Sequence, residues 1–117
     1  MNVRMTSLGE TPLLEIEGDI DHGTCGAVEA ALNEAFDLGR PVALIDLSRV
    51  GYLDSGGISV LLSGARRLRA DGWLGVIGPN DDVRRLLTLV GLFLDPSFRA
   101  FDDRPAAEAA VNREDAA

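Results

Sequence analysis

The stretch GYLDSGGISVLL, residues 51 to 62, sets Ser55 between an aspartate and two glycines, where a β-rich run gives way to a helical one. A serine hydroxyl at such a junction has three chemistries open to it. It can attack a carbonyl as a hydrolase nucleophile, with His22 as base and Asp21 or Asp19 as orienter. The surrounding pattern is not G-x-S-x-G, however, and the chain's one histidine directly follows Asp21 in a turn. It can help cradle a phosphate, but SGGIS lacks the glycine spacing of dinucleotide-binding and P-loop sequences. The third course is to accept a phosphate from a kinase. A phosphoryl group adds about −1.5 to −2 charges at pH 7, at a helix start whose free N–H groups are expected to hold it. A partner fitted to the bare serine would then meet steric and charge conflict beside Asp54, and about 2.7 kcal/mol of such conflict is a hundredfold loss of affinity.

The same residues have a plainer reading. Asp54 or Ser55 is the N-cap of the helix that follows, with Gly56 and Gly57 tolerated for close packing, although each costs roughly 1 kcal/mol relative to alanine in a helix interior. Asp21 likewise suits the cap of an earlier helix. The functional reading gains from the helix face that follows, where Ser59, Ser63 and Gly64 are small and leave a nearly flat surface for a partner.

The elements that must position Ser55 alternate between strand and helix. MNVRMTSLG and TPLLEIEGDI, split by Gly9, Glu10 and Thr11, read as a hairpin. Val28, Leu32 and Phe36 at four-residue spacing predict an amphipathic helix over 24–38, stopped by Gly39 and Pro41. PVALIDLS is a continuous apolar run, the mark of a central strand buried on both faces. A helix over roughly 56–71 should turn Ile58, Leu61, Leu62, Ala65 and Leu68 to the sheet and Ser59, Ser63, Arg66 and Arg67 away from it. GWLGVIG, opened by Trp73 as a core residue, reads as another buried strand. NDDVRRLLTLVGL reads as a helix capped by Asn80 and ending near Gly91. SFRAF suits an edge strand, and RPAAEAAVNREDAA a last helix that frays from about residue 112. The expected architecture is one α/β domain over 1–117, a mixed sheet of four to five strands with about four helices packed mainly on one face. Ligands of such sheets use the loops at the carboxyl ends of the strands, where Ser55 falls.

Composition excludes whole classes of function. Nineteen acidic against eleven basic side chains give a net charge of −8, and lysine is absent. Such a chain lacks the basic footprint that nucleic acid and anionic membranes require, and it has no lysine for a Walker motif or a Schiff base. Cys25, the one cysteine, permits no internal disulfide and no thiolate cluster, and His22 has no partners at ligand spacing, so neither a metal nor another cofactor is expected. His22 reads as a solvated turn residue, and Arg66, Arg67 and Arg69 as a solvated helix face. With no signal peptide and no apolar run longer than LLTLVGLFL, the expected setting is the cytoplasm, without insertion into a membrane.

Taken together, these motifs resemble a known family. DLSRVGYLDSGGISVLL is similar to the central motif of STAS-domain anti-sigma factor antagonists, in which a strand ends in Asp-Leu-Ser, an apolar pair leads to Asp-Ser, and a glycine with small residues opens a helix. EGDIDHGT resembles the family's Gly-x-x-Asp segment, and GLF at 91–93 the end of its third helix; the likeness runs from about residue 3 to about residue 112. The resemblance implies a partner switch. The unmodified protein binds an anti-sigma factor that is also a GHKL-type serine kinase and so frees a sigma factor. The kinase phosphorylates and releases the antagonist, and a PP2C-type phosphatase resets it. It implies Ser55 as phosphoacceptor, with Asp21 and Asp54 serving site geometry and kinase recognition, and no catalysis by the chain itself; Gly56, Gly57, Ser59 and Ser63 complete the expected phosphosite environment and docking face. Two positions depart from the pattern. Gly56 stands where the family commonly has Ser or Thr, which would loosen the helix start or change which kinase fits, and Gly23 replaces a frequent His. STAS domains also serve as constitutive subunits of bacterial ABC-type lipid-transport complexes, and in that role Ser55 would be a cap or a packed interface residue.

Overall fold

The structure, a computed structural model, describes the backbone of residues 1–116 and the side chains of residues 1–113. The strands are β1 (Asn2–Leu8), β2 (Thr11–Glu17), β3 (Val42–Arg49), β4 (Trp73–Ile77) and β5 (Phe98–Phe101). The helices are α1 (Cys25–Phe36), α2 (Ser55–Leu68), α3 (Asp81–Leu89) and α4 (Arg104–Ala116), with a 3-10 turn at Leu92–Leu94. The tail expected to fray from about residue 112 falls on the end of α4 and on residue 117, which lies outside the described residues.

The strands lie in sequence order, β1-β2-β3-β4-β5. The opening hairpin is antiparallel, with Met5 opposite Leu14, and every later pair is parallel. The run Val42–Leu47 is buried at every position, as a central strand must be. Alternate residues feed two cores. Leu14, Ile16, Ala43, Ile45, Leu74 and Val76 meet Val28 and Leu32 of α1, Val60, Leu61 and Ala65 of α2, and Val83 and Leu87 of α3. Leu13, Val42, Leu44, Trp73 and Ile77 meet Ala107, Ala110 and Val111 of α4 on the opposite face. Three helices therefore share one face, and the small residues of α4 let the fourth close the other. Among the described residues no helix is long and apolar enough to cross a membrane.

Helix α2 is turned about its axis from the expected phase. Its buried residues are Gly57, Val60, Leu61, Gly64, Ala65 and Leu68, while Ile58 and Leu62 are half-exposed. The reason is contact with α1. A Cβ at Gly64 would stand 3.1 Å from Leu74 Cδ2 and 3.5 Å from Phe36 Cζ, so Gly64 is a close-approach point and not part of the flat exposed face. Arg67 places its guanidinium over the Phe36 ring at 5.1 Å, binding the same two helices from outside.

Polar side chains fix the remaining junctions. Arg104, at the start of α4, donates to Glu15 at 2.6 Å and to Asp46 at 3.0 Å, and Arg4 reaches the other oxygen of Glu15 at 2.7 Å. This chain of alternating charge ties α4 to three strands. The turn before β5 is fastened by Asp95, which accepts from the hydroxyl and backbone N–H of Ser97 and from Arg69, the C-cap residue of α2. Those bonds, the two from Ser97 foremost, hold the Asp95 carboxyl down at about 2, against an ordinary 3.8. A carboxyl depressed by folding contributes stability above its unfolded pKa and loses it as pH falls through the folded one. Asp95→Asn should accordingly lower Tm at neutral pH, and its deficit against the wild type should shrink as the pH drops from 3.8 towards 2. Calorimetry across that range checks this, and two parallel curves would contradict it.

Candidate functional site

Two loops at the carboxyl ends of β2 and β3 build the site, and they are joined before any side chain takes part. Ile20 N donates to Tyr52 O at 3.0 Å, and Asp54 N returns a bond to Ile20 O at 3.1 Å. Ile20 and Leu53 form an isolated parallel bridge, and both side chains are buried. The loop after β2 thus runs beside the loop that leads into α2. Asn80, the cap of α3, accepts from Val83 N and donates to the carbonyl of Val50, which anchors the second loop from the far side.

Asp54 has extended backbone and is the N-cap of α2. Its Oδ1 accepts from Gly56 N at 2.8 Å and Gly57 N at 3.3 Å. Its Oδ2 accepts from His22 N at 3.1 Å and stands 2.8 Å from His22 Nδ1. Because a carboxylate only accepts, Nδ1 carries the hydrogen. Burial alone would raise the Asp54 carboxyl. The His22 ring and the amides of Gly57, Gly56 and His22 outweigh it and hold the group below its ordinary value.

With Asp54 as cap, Ser55 is the first residue of α2, exposed, and its hydroxyl bonds to none of the described residues. Of the two sequence alternatives for the cap, the structure takes Asp54. It also corrects the expectation that free N–H groups of the first turn await a phosphate, since those of Gly56 and Gly57 are already taken by Asp54.

The two glycines are packing points, and this alters their assigned roles. A Cβ at Gly57 would meet Leu53 Cδ1 at 2.3 Å and Ile20 Cγ2 at 2.9 Å, so Gly57 lies beneath the site and offers a partner no surface. A Cβ at Gly56 would stand 3.1 Å from Asp54 Oδ1, 3.3 Å from Cys25 Sγ and 3.4 Å from the His22 α-carbon. Gly56 therefore does not loosen the helix start; it lets the His22 loop lie down on it. Ser59 and Ser63 are exposed one and two turns further along α2, as expected.

Asp21 works within its own loop. Its Oδ1 accepts from Gly23 N at 2.9 Å and Thr24 N at 3.0 Å, while its carbonyl receives Cys25 N at 2.7 Å, so it shapes the start of α1. Its carboxylate makes no bond to Asp54 or Ser55. His22 is a solvated turn residue, as its sequence reads, but its pairing with Asp54 has no sequence signal. Its side chain is 75% exposed, and the pair spans 32 positions. The hydrolase arrangement is not formed: Asp54 holds the imidazole in place of Asp21 or Asp19, and His22 makes no hydrogen bond to Ser55.

Apolar hollows flank this edge. One, of about 610 Å³, lies between Ile58 and Leu62 of α2 and the segment Val90–Leu94. Another is lined by Tyr52, Leu86 and Leu89. Tyr52, Leu89, Val90 and Leu94 are exposed, which leaves apolar surface open to solvent at this edge.

Comparison with known proteins adds the context. A family model described as "Mlab, STAS domain" matches residues 3–93. The chain is 34% identical over 89 residues to the anti-sigma-F factor antagonist RsfB of Mycobacterium tuberculosis, covering 76% of this chain and 71% of that one. Its fold superposes on the crystal structure of an anti-sigma factor antagonist from Mycobacterium paratuberculosis with a TM-score of 0.85 and 27% identity, covering 95% and 93% of the two chains. The phosphorylated form of the Bacillus cell fate determinant SpoIIAA shares the fold at 22% identity and a TM-score of 0.68, covering 96% and 98%.

Gly57 gives the direct test of the packing beneath the site. Gly57→Ala forces its methyl into Leu53 and Ile20, and overpacking of this kind costs about 1–3 kcal/mol. Ser59→Ala, on the exposed face, should stay within about 0.5 kcal/mol of the wild type. Urea unfolding measures both, and equal stability of the two variants would refute the buried role of Gly57.

Proposed function

The chain belongs to the STAS domain family, and on that premise we propose that it is an anti-sigma factor antagonist switched by phosphorylation of Ser55. The observation that carries the reading is the division of labour at the start of α2. Asp54 caps the helix, so the adjacent serine hydroxyl stands exposed and unbonded among the described residues, ready for a kinase. The unmodified protein presents Ser55, Ser59 and Ser63 with the flanking apolar hollows to an anti-sigma factor, whose sequestration frees a sigma factor.

The anti-sigma factor doubles as an ATP-dependent kinase of the GHKL type. Ser55 Oγ attacks the γ-phosphorus, its proton passes to a base on the kinase, and ADP leaves. The dianion then sits beside the Asp54 carboxylate on the docking face, and repulsion with loss of fit releases the complex. A PP2C-type phosphatase removes the group by hydrolysis and restores binding, all within the cytoplasm. Asp54 fixes the acceptor's geometry, and Asp21 shapes the neighbouring loop that the kinase reads. The Bacillus relative, solved in a phosphorylated form, supports the compatibility of this fold with such a group.

The test is made on protein isolated from its host with phosphatases blocked. Peptide mass spectrometry should find one phosphate on Ser55, absent from Ser55→Ala. Affinity capture with the unmodified chain should retain an ATP-binding kinase, and Ser55→Asp should weaken that capture a hundredfold or so, which is about 2.7 kcal/mol. An unmodified Ser55 in growth and stress alike, with the same partners held by the Ala and Asp variants, would overturn the switch and leave a constitutive subunit, such as that of an ABC-type lipid-transport complex.

A further inference from the structure

Two good capping residues stand side by side at the start of α2, and they compete. Were Ser55 the cap, its Oγ would accept from the amides two and three positions on, and the helix would begin one residue later. The hydroxyl would then be spent on the helix itself. Propensity does not decide between them, because Asp and Ser cap about equally well. Something outside the helix has to make the choice.

We infer that His22 is a positioning residue for Ser55: its ring N–H holds the Asp54 carboxylate in the capping position and so keeps the serine hydroxyl out of the helix's hydrogen bonding. The geometry is specific. Oδ2 of Asp54 receives both the backbone N–H of His22, at 3.1 Å, and the ring Nδ1, at 2.8 Å, which points Oδ1 at Gly56 and Gly57. The backbone bond survives most substitutions at position 22, whereas the ring bond is lost with the donor. Gly56 makes the approach possible, since any side chain there would crowd Cys25 Sγ and the His22 backbone. His22 and Gly56 thus act as a pair, one supplying the donor and the other the room for it.

The inference rests on Ser55 as the acceptor, but its test needs neither kinase nor partner, so the two fail separately: a wrong acceptor shows only as missing phosphate in the cell. Three variants of the full chain separate donor from bulk. His22→Ala removes both, His22→Phe keeps a ring without the donor, and His22→Asn restores an N–H near the position of Nδ1. Nuclear magnetic resonance reads the amide exchange of Gly56 and Gly57 and the carbon shifts of Ser55, which are helical while Asp54 is the cap. In His22→Ala and His22→Phe, exchange at Gly56, whose amide a Ser55 cap does not bond, should rise about tenfold, equivalent to 1.4 kcal/mol, while Gly57 passes to Ser55 Oγ and stays protected. The Ser55 shifts should move towards extended values, with the β3 amides of Leu44 and Ile45 unchanged. His22→Asn should stay within about threefold of the wild type on the same scale. Wild-type exchange and helical Ser55 shifts in the Ala and Phe variants would overturn the inference, as would a His22→Asn variant no closer to the wild type than His22→Phe.

Discussion

The Asp54 carboxylate serves two chain segments with its two oxygens, and the shape of the site depends on that division. One oxygen closes the first turn of α2, and the other holds the loop after β2. Neither task alone requires an aspartate. A helix can begin on serine, and the loop is already joined to its neighbour by the backbone bonds of Ile20. Doing both at once locks the loop and the helix start into one rigid corner with Ser55 at its outer edge. The donors around the carboxyl also more than offset its burial and hold it below its ordinary value.

The rest of the fold supplies that corner with a rigid floor. Parallel β2 and β3 end side by side, so their loops emerge together, and the buried Ile20 and Leu53 meet beneath them where Gly57 leaves room. Arg104 contributes from the other side of the sheet by bonding Glu15 on β2 and Asp46 on β3, near the ends of the two strands. Holding a buried carboxylate such as Asp46 in its charged form requires a paired cation and hydrogen bonds, and Arg104 with Ser48 provides them. The site therefore stands on elements fixed from both faces.

Much of this was legible in the sequence, for reasons that also mark where reading stopped. The buried run through β3, the hairpin and the Asn80 cap are local patterns, each decided by neighbours within a few positions, and each appears where expected. The resemblance of the Asp-Ser segment located the acceptor candidate for the same reason. The phase of α2 was misread because periodicity counts apolar side chains, whereas the face nearest α1 is set by a glycine that has none. Gly56 was misread similarly, since a residue's backbone freedom is written in the sequence and its nearness to another loop is not. The His22–Asp54 pairing has no local signal because the partners lie 32 residues apart and the imidazole is mostly in solvent.

If Ser55 is the phosphoacceptor, as proposed, the same corner decides how a single phosphate would act. A helix N-terminus ordinarily offers amides to an anion, and a phosphate folded into them would be partly hidden from a partner. Here the amides of Gly56 and Gly57 are committed to Asp54, so a phosphate on Ser55 gains them only by displacing a carboxylate that His22 also holds. The dianion's easier course is to project from the corner into the space where a partner would rest. Such a modification would change the proposed docking surface far more than the fold. A switch built this way would leave the chain native in both states and place most of the electrostatic difference on the complex.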